Sequence, residues 1–352
     1  MKKMWKGNHA IAEAAMRAGC QFYAGYPITP QTEVGEYLSG RMEELGRTFI
    51  QAENEMSAVY MIFGAYACGM RSMTSSSGPG FSLKQEGIGY LCANNLPAVL
   101  VNVQRWGPGL GSLDSSQTDY LRDTRGGGNG DYRVIVLAPN SVQETVDLMY
   151  NAWDLAEKYR NPVEILSEGS LGQMMEPVQF PEFKERTEDL GWTWDGTGRD
   201  HKKLSSPEKP AATRMKLQLI TENEQRWESY RTEDAEYILV AFGLPSRSAK
   251  NAVNQLREKG EKVGMIRPIS VWPFPFKAFE ETAKTNKCLK GFLSVESTDA
   301  GQLIEDVVLA AKKADLGTLP IYGLFSGQHI PKAKEIMAFY DDVKEGREKG
   351  VF

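Results

Sequence analysis

Apolar runs of strand length alternate with longer stretches of helical period along most of the chain. Ala10–Ala18 repeats Ala, Ile and Met at helical spacing and stops at Gly19. Phe22–Ala24 reads as a short strand entering a turn held by Pro27 and Pro30, Glu33–Leu45 as a helix, and Thr48–Gln51 as a second strand. Glu55–Gly69 is rich in small residues, which suits a helix lying close to another backbone. Arg71–Ser75 predicts a third strand, followed by the glycine loop Ser76–Gly80 and a helix over Leu83–Ala93. Ala98–Val103, Tyr132–Ala138 and Pro162–Leu166 are further strands. Between the last two, Ser141 with Glu144 makes a capping-box start for a helix to about Lys158.

The rhythm breaks from about Gly169 to Thr232. Gly196–Thr197–Gly198, Ser205–Ser206–Pro207 and many charges leave short apolar pieces there, with Glu222–Tyr230 as a candidate helix. Strands then resume at Tyr237–Phe242, Lys262–Ile266, Gly291–Val295 and Leu319–Leu324. Helices are predicted at Ser246–Glu258, Phe276–Lys284, Gln302–Lys312 and Lys332–Phe339, and Pro268–Pro275 reads as a proline-rich turn. Such alternation predicts the α/β class, with largely parallel sheets covered by helices on both faces. The expected division is a first domain over residues 1–169, an arm or linker over 170–233, and a smaller second domain over 234–352.

Composition narrows the function classes. With 352 residues, 41% hydrophobic and 25% charged, the chain can build real cores. A formal net charge of -5 with both signs interspersed lacks the clustered basic patch of a nucleic-acid surface, so no nucleic-acid partner is expected. No apolar run approaches the roughly eighteen residues of a membrane span, and the start of the chain has no signal-peptide core, so a cytoplasmic protein is expected. The four cysteines form no CxxC pair and are expected to be buried or half-buried; the three histidines are too dispersed for a structural zinc site, and no metal ligands are assigned.

Candidate chemistry gathers where strands end, the place open α/β sheets bind ligands. Tyr26, Thr29 and Thr32 surround the prolines of the first loop, which can be a binding turn or merely a turn. Glu53 and Glu55 precede the small-residue helix, where a carboxylate can favour the helix N-terminus or be a buried acid for proton transfer. Ser76–Gly80 lacks the Gly-Lys-Ser/Thr ending of a P-loop, and no Gly-x-Gly-x-x-Gly opens the domain, so ATP or nicotinamide use is unsupported. A further strand delivers Gln104 and Arg105, followed by Trp106, the glycine-rich Gly107–Gly111, Asp114, Gln117, Asp119 and a flexible Arg125–Gly130. An arginine so placed can bind a carboxylate through two parallel hydrogen bonds or serve the surface.

These loops resemble those of the 2-oxoacid:ferredoxin oxidoreductase family, in the subunit that carries the pyrimidine-binding domain. The residues that carry the resemblance are Tyr26-Pro27-Ile28-Thr29-Pro30, Glu53-Asn54-Glu55 running into Phe63-Gly64-Ala65, Val103-Gln104-Arg105, Gly107-Pro108-Gly109-Leu110-Gly111 and Gly126–Arg133. Ser229–Glu236 and Ile266–Pro275 extend it through the second half, to nearly the whole chain. The branched-chain (2-oxoisovalerate) branch is the most similar, with the 2-oxoglutarate branch next.

The resemblance implies a thiamine-diphosphate-binding pyrimidine domain joined to a transketolase C-terminal-like domain. It also implies CoA-dependent oxidative decarboxylation of a 2-oxoacid to acyl-CoA and carbon dioxide. Glu55 matches the glutamate that bonds the pyrimidine N1′ of thiamine diphosphate, and Tyr26, Pro27, Ile28, Ser77 and Gly78 fall among the cofactor-binding positions. Arg105 would hold the substrate carboxylate and Thr29 would bond its oxygens. Partner subunits would hold the diphosphate with Mg²⁺ and the iron–sulfur clusters, with room for a further small subunit and with ferredoxin as electron acceptor. Trp106 stands where many relatives have glycine, and His9 where an acid is frequent. The rival readings are a 2-oxoglutarate enzyme, a transketolase-like enzyme, and a non-catalytic α/β subunit.

Overall fold

Buried strands flanked by amphipathic helices produce a layered α/β architecture, seen in a computed structural model that describes residues 2–184, 191, 193 and 210–351. The first half runs β1 (Lys3–Lys6), α1 (Gly7–Arg17), β2 (Phe22–Gly25), α2 (Thr32–Glu44), β3 (Thr48–Gln51), α3 (Glu55–Ala67), β4 (Ser72–Ser76), α4 (Gly78–Leu83), α5 (Gln85–Ala93) and β5 (Val99–Gln104). It continues with α6 (Tyr120–Arg125), β6 (Ile135–Leu137), α7 (Val142–Tyr159), β7 (Val163–Glu168), α8 (Gly169–Gln173) and β8 (Met175–Val178). After residue 209 come α9 (Pro210–Asn223), β9 (Trp227–Tyr230), β10 (Tyr237–Val240), α10 (Gly243–Glu258), β11 (Val263–Pro268) and β12 (Ser270–Trp272). The last elements are α11 (Phe276–Thr285), β13 (Gly291–Glu296), α12 (Leu303–Lys313), β14 (Ile321–Phe325) and α13 (Ala333–Lys344).

The seven-stranded sheet has the order β12-β6-β7-β5-β4-β2-β3, and the five-stranded sheet β14-β13-β10-β11-β9. Both are parallel except for one antiparallel strand each, β12 against β6 and β9 against β11. Strands β2, β4, β5 and β7 are buried along their whole length, as the central strands of a sheet covered on both faces must be. Helix α3 crosses β2 and β4, while α7 lies on β7 with α1 packed against it. Val142, Val146, Met149, Trp153 and Ala156 form the buried face of α7. Each of its large apolar side chains contributes about 1.5–3 kcal/mol.

Two strands cross the division drawn from the sequence. β9, inside the expected arm, completes the second sheet, and β12, inside the expected second domain, completes the first. One continuous core joins Val101 and Ile165 to Val240, Phe242 and Phe292, with a smaller core around Val253, Met265 and Tyr340.

The expected helix over Glu222–Tyr230 is instead the end of α9 followed by β9, because Trp227–Tyr230 finds a ladder on β11. The Pro268–Pro275 turn contains β12, and the Ser76–Gly80 loop turns into helix at Gly78. Strands β1 and β8, unmarked by any long apolar run, pair with each other. The Gly196–Gly198 and Ser205–Pro207 stretches lie outside the described residues. Ser141 Oγ accepts the Glu144 amide at 3.2 Å as a cap should, but the Glu144 carboxylate takes the Asn140 amide and the Arg267 guanidinium instead of completing the box. Of the cysteines, Cys20 and Cys92 are buried, whereas Cys68 at the end of α3 and Cys288 in a loop are exposed, against expectation.

Candidate active site

In the seven-stranded sheet the chain steps from β2 outward to β3, then returns to the other side of β2 as β4. That reversal opens a crevice at the carboxyl ends of β2 and β4, the place where doubly wound sheets bind ligands. The loops after β2, β4 and β5 therefore emerge side by side, and α3 brings its first turn to the same edge. Gln31 fastens the first loop: its amide donates to the Tyr26 carbonyl (3.1 Å) and accepts from Ser75 Oγ on β4 (2.6 Å). Asn8 donates to the Pro30 carbonyl at 2.8 Å.

Arg105, at the end of β5, reaches across this edge and is nearly buried. Its Nη1 donates to the Thr29 carbonyl (2.7 Å) and its Nη2 to the Leu110 carbonyl (2.8 Å), while Nε has no partner. Gly78, at positive φ, lies flat against Nε, where an added Cβ would stand 3.1 Å away. Main-chain oxygens thus occupy two of the five guanidinium N–H groups, which leaves donors for an anion. The side chains of Tyr26, Pro27 and Thr29 are exposed at the crevice mouth and Ile28 is half-buried. Tyr26 and Pro27 also border a hollow of about 210 Å³ walled by Tyr23, Phe49 and Gln51.

Glu55 opens α3, but Asn54 does the capping, accepting the Ser57 amide at 2.8 Å. The buried Glu55 carboxylate lies against Gly80, near Ser76: a Cβ on Gly80 would fall 2.3 Å from Oε1 and 2.5 Å from Ser76 Oγ. Ser76, Ser77 and Gln104 are wholly buried nearby, and their side-chain polar atoms lack partners. Glu53 stays exposed and accepts from Ser57 Oγ, a bond that holds its carboxyl below the usual range. The structure thus brings Thr29, Arg105 and Gly78 into contact, with Glu55 on the same α4 segment through Gly80.

Lys84 escapes the sequence reading, and the pairings of several named loop residues come only from the fold. Lys84 is wholly buried beneath α3 and bonds the Glu55 main chain. Arg122 is held by Asp119 (2.9 Å) and Asp123 (2.8 Å) and passes its Nη1 to the Gly78 carbonyl (3.0 Å). Burial raises the carboxyls of Asp123 and of Glu164 behind it. Trp106 Nε1 donates to Asp299 Oδ2 at 2.9 Å, tying the Arg105 loop to the second sheet. The glycine run expected to be flexible is pinned, Gly127 to Gln85 and Gly128 to the Tyr132 hydroxyl. His9 lies tilted against Tyr37, 5.4 Å between ring centres, away from Glu55 and Arg105. Among the described residues no helix is long and apolar enough to cross a membrane, and no group of acids, histidines and cysteines is arranged to hold a metal ion.

The family described as pyruvate flavodoxin/ferredoxin oxidoreductase, thiamine diphosphate-binding, matches residues 13–241, and pyruvate:ferredoxin oxidoreductase core domain II matches 235–336. The chain is 47% identical over 324 residues to the ketoisovalerate oxidoreductase subunit VorB of Methanothermobacter marburgensis, covering 89% of this chain and 91% of that one. It is 36% identical over 348 residues to the 2-oxoglutarate synthase subunit KorA of Methanocaldococcus jannaschii, covering 88% and 92%. The solved 2-oxoglutarate:ferredoxin oxidoreductase from Magnetococcus marinus, with 2-oxoglutarate, coenzyme A and succinyl-CoA bound, matches with a TM-score of 0.83 at 26% identity. That match covers 99% of this chain but 65% of the solved one. A split gene transketolase, at TM-score 0.58 and 12% identity, shares the fold.

Proposed function

Because this chain belongs to the pyruvate flavodoxin/ferredoxin oxidoreductase family and carries its thiamine-diphosphate-binding domain, we propose that it is a catalytic subunit oxidising a branched aliphatic 2-oxoacid, with 2-oxoisovalerate the favoured substrate. The reaction joins the acyl group to coenzyme A, releases carbon dioxide and sends two electrons to ferredoxin. The observation that carries this reading is the crevice edge, where the buried Glu55 carboxylate lies against Gly80 and the buried Arg105, with open donors, lies against Gly78 of the same segment.

Thiamine diphosphate, when bound, supplies the electron sink for the pair left by the departing carbon dioxide. The residues present fit it: Gly80 sets no side chain against the buried Glu55 carboxylate, and the buried Ser76, Ser77 and Gln104 have unmatched polar atoms. Glu55 would hold and exchange the proton at the pyrimidine N1′, while Tyr26, Pro27, Ile28, Ser77 and Gly78 would line the ring. Arg105 would clamp the substrate carboxylate through its remaining N–H groups, with the Thr29 hydroxyl on the same oxygens. The division of the chain into residues 1–169, 170–233 and 234–352 would then set cofactor binding in the first part.

The 2-oxoisovalerate branch is supported by the higher identity to the ketoisovalerate subunit. It is supported also by the cations near the crevice. Arg122 is paired with Asp119 and Asp123, and Arg125 with Asp306 at 3.0 Å, so both already face carboxylates instead of awaiting a second one on the substrate. Both relatives are named as subunits. Partners would supply the diphosphate and Mg²⁺ site and the iron–sulfur clusters. Met56 and Tyr60 on α3, Leu83 on α4 and Tyr90 on α5 form an exposed apolar rim beside Glu55 that suits such a partner.

The test is a steady-state comparison of 2-oxoisovalerate, pyruvate, an aromatic 2-oxoacid and 2-oxoglutarate on the co-expressed complex, with its iron and thiamine diphosphate measured. The highest kcat/KM is expected for 2-oxoisovalerate. A clear preference for 2-oxoglutarate would overturn the substrate, and a complex that binds no thiamine diphosphate would overturn the function.

A further inference from the structure

Lys84 is a full-length lysine with no exposed surface, in the turn between α4 and α5. Lysine is almost never buried without a charged partner. Here Nζ donates to the main-chain carbonyl of Glu55 (3.2 Å) and to Thr74 Oγ1 on β4 (2.9 Å), both neutral oxygens. The charged group that faces it is Glu55.

We propose that Lys84 is a positioning residue for Glu55: it anchors the first turn of α3 to β4 from below, and its positive charge faces the Glu55 side chain. Burial lowers the lysine to about 7, with the charge of Glu55 acting the other way. The amine therefore gains and loses its proton near neutrality, directly beneath the residue whose own proton exchange the reaction needs. Attraction between a buried cation and a carboxylate is stronger than the same pair in water, so removing the cation should be felt at Glu55. This inference rests on the proton-exchanging role given to Glu55 above.

The variants are Lys84→Met, which fills the space without charge or donor, and Lys84→Gln, which keeps a donor and removes the charge. Measured on the assembled complex, both should move the acid limb of the kcat–pH profile upward by about half a unit or more. A second readout needs no turnover. An unfolded lysine titrates near pH 10.4, so between about pH 7 and that value the unfolded state binds more protons, and the wild type gains stability as pH rises. The melting-temperature difference, wild type minus variant, should therefore climb from pH 7 to pH 9.5.

Acid limbs that coincide with wild type, a shift in Lys84→Met alone, or a flat melting difference would each overturn the inference. Glu55→Gln assayed beside them separates the two claims. If it retains turnover, the Glu55 reading fails; if it is inactive while the Lys84 variants follow the wild-type profile, the Lys84 inference alone fails.

Discussion

Gly80 and Glu55 are in such close contact that a methyl group on the glycine would stand 2.3 Å from the carboxylate oxygen. The same methyl would meet Ser76 Oγ at 2.5 Å, so one or both of these side-chain ends must move to admit it. Gly80→Ala should push Glu55 out of the crevice and lower kcat at least about tenfold, the cost of misplacing one catalytic group. Its melting temperature should fall by only a few degrees, about 1–3 kcal/mol of overpacking. Wild-type kcat in this variant would contradict the placement.

Arg105→Lys keeps the charge but not the planar fork that reaches the Thr29 and Leu110 carbonyls together. Losing a charge-assisted bond of roughly 1.5–3 kcal/mol corresponds to about 10- to 150-fold in kcat/KM. Steady-state kinetics with 2-oxoisovalerate check it, and full activity would remove Arg105 from substrate binding.

Much of this crevice is legible in the sequence, because its loops follow apolar strands whose period marks them plainly. Tyr26–Pro30, Glu55 and Arg105 all stand at such ends. Lys84 is less visible: between Leu83 and Gln85 it looks like a solvated position. Yet it falls four and seven residues before Ile88 and Leu91, on the buried stripe of α5, and that spacing was the available signal. The Asp119–Asp123–Arg122 cluster depends on Asn102, a β5 side chain that donates to both acids, a meeting no local pattern encodes. Strand β12 has three residues and exists through its distant partner β6. Long-range pairing of this kind leaves little trace in a proline-rich run.

Trp106 and Asp299 link the Arg105 loop to the second sheet through one hydrogen bond. Asp299→Ala should loosen the loop, with kcat/KM falling about two- to tenfold, consistent with about 0.5–1.5 kcal/mol for one bond. Trp106→Phe should reproduce the loss, and the double variant should add little. Additive losses would show that the two residues act separately.

Glu168, wholly buried at the end of β7, accepts from the Leu244 amide (2.9 Å) and Gln117 (3.2 Å), and burial pushes its carboxyl up to about 7. The folded state therefore holds a proton that the unfolded chain has released between about pH 4.3 and pH 7. Stability from this group is present at low pH and is lost as pH rises through 7, by an amount on the order of 3 kcal/mol. Glu168→Gln, which cannot ionise, should gain in melting temperature relative to wild type from pH 5 to pH 8. A difference that does not change with pH would mean that Glu168 is ionised throughout.

The central claim is that Glu55 exchanges a proton with bound thiamine diphosphate. Glu55→Gln, co-expressed with the partner subunits and assayed with 2-oxoisovalerate, coenzyme A and ferredoxin, tests it most directly. The account predicts an assembled complex with unchanged iron content and a kcat lower by about 100-fold or more, the scale of a lost acid–base group. Turnover within about twofold of the wild-type complex, far short of that scale, would contradict it.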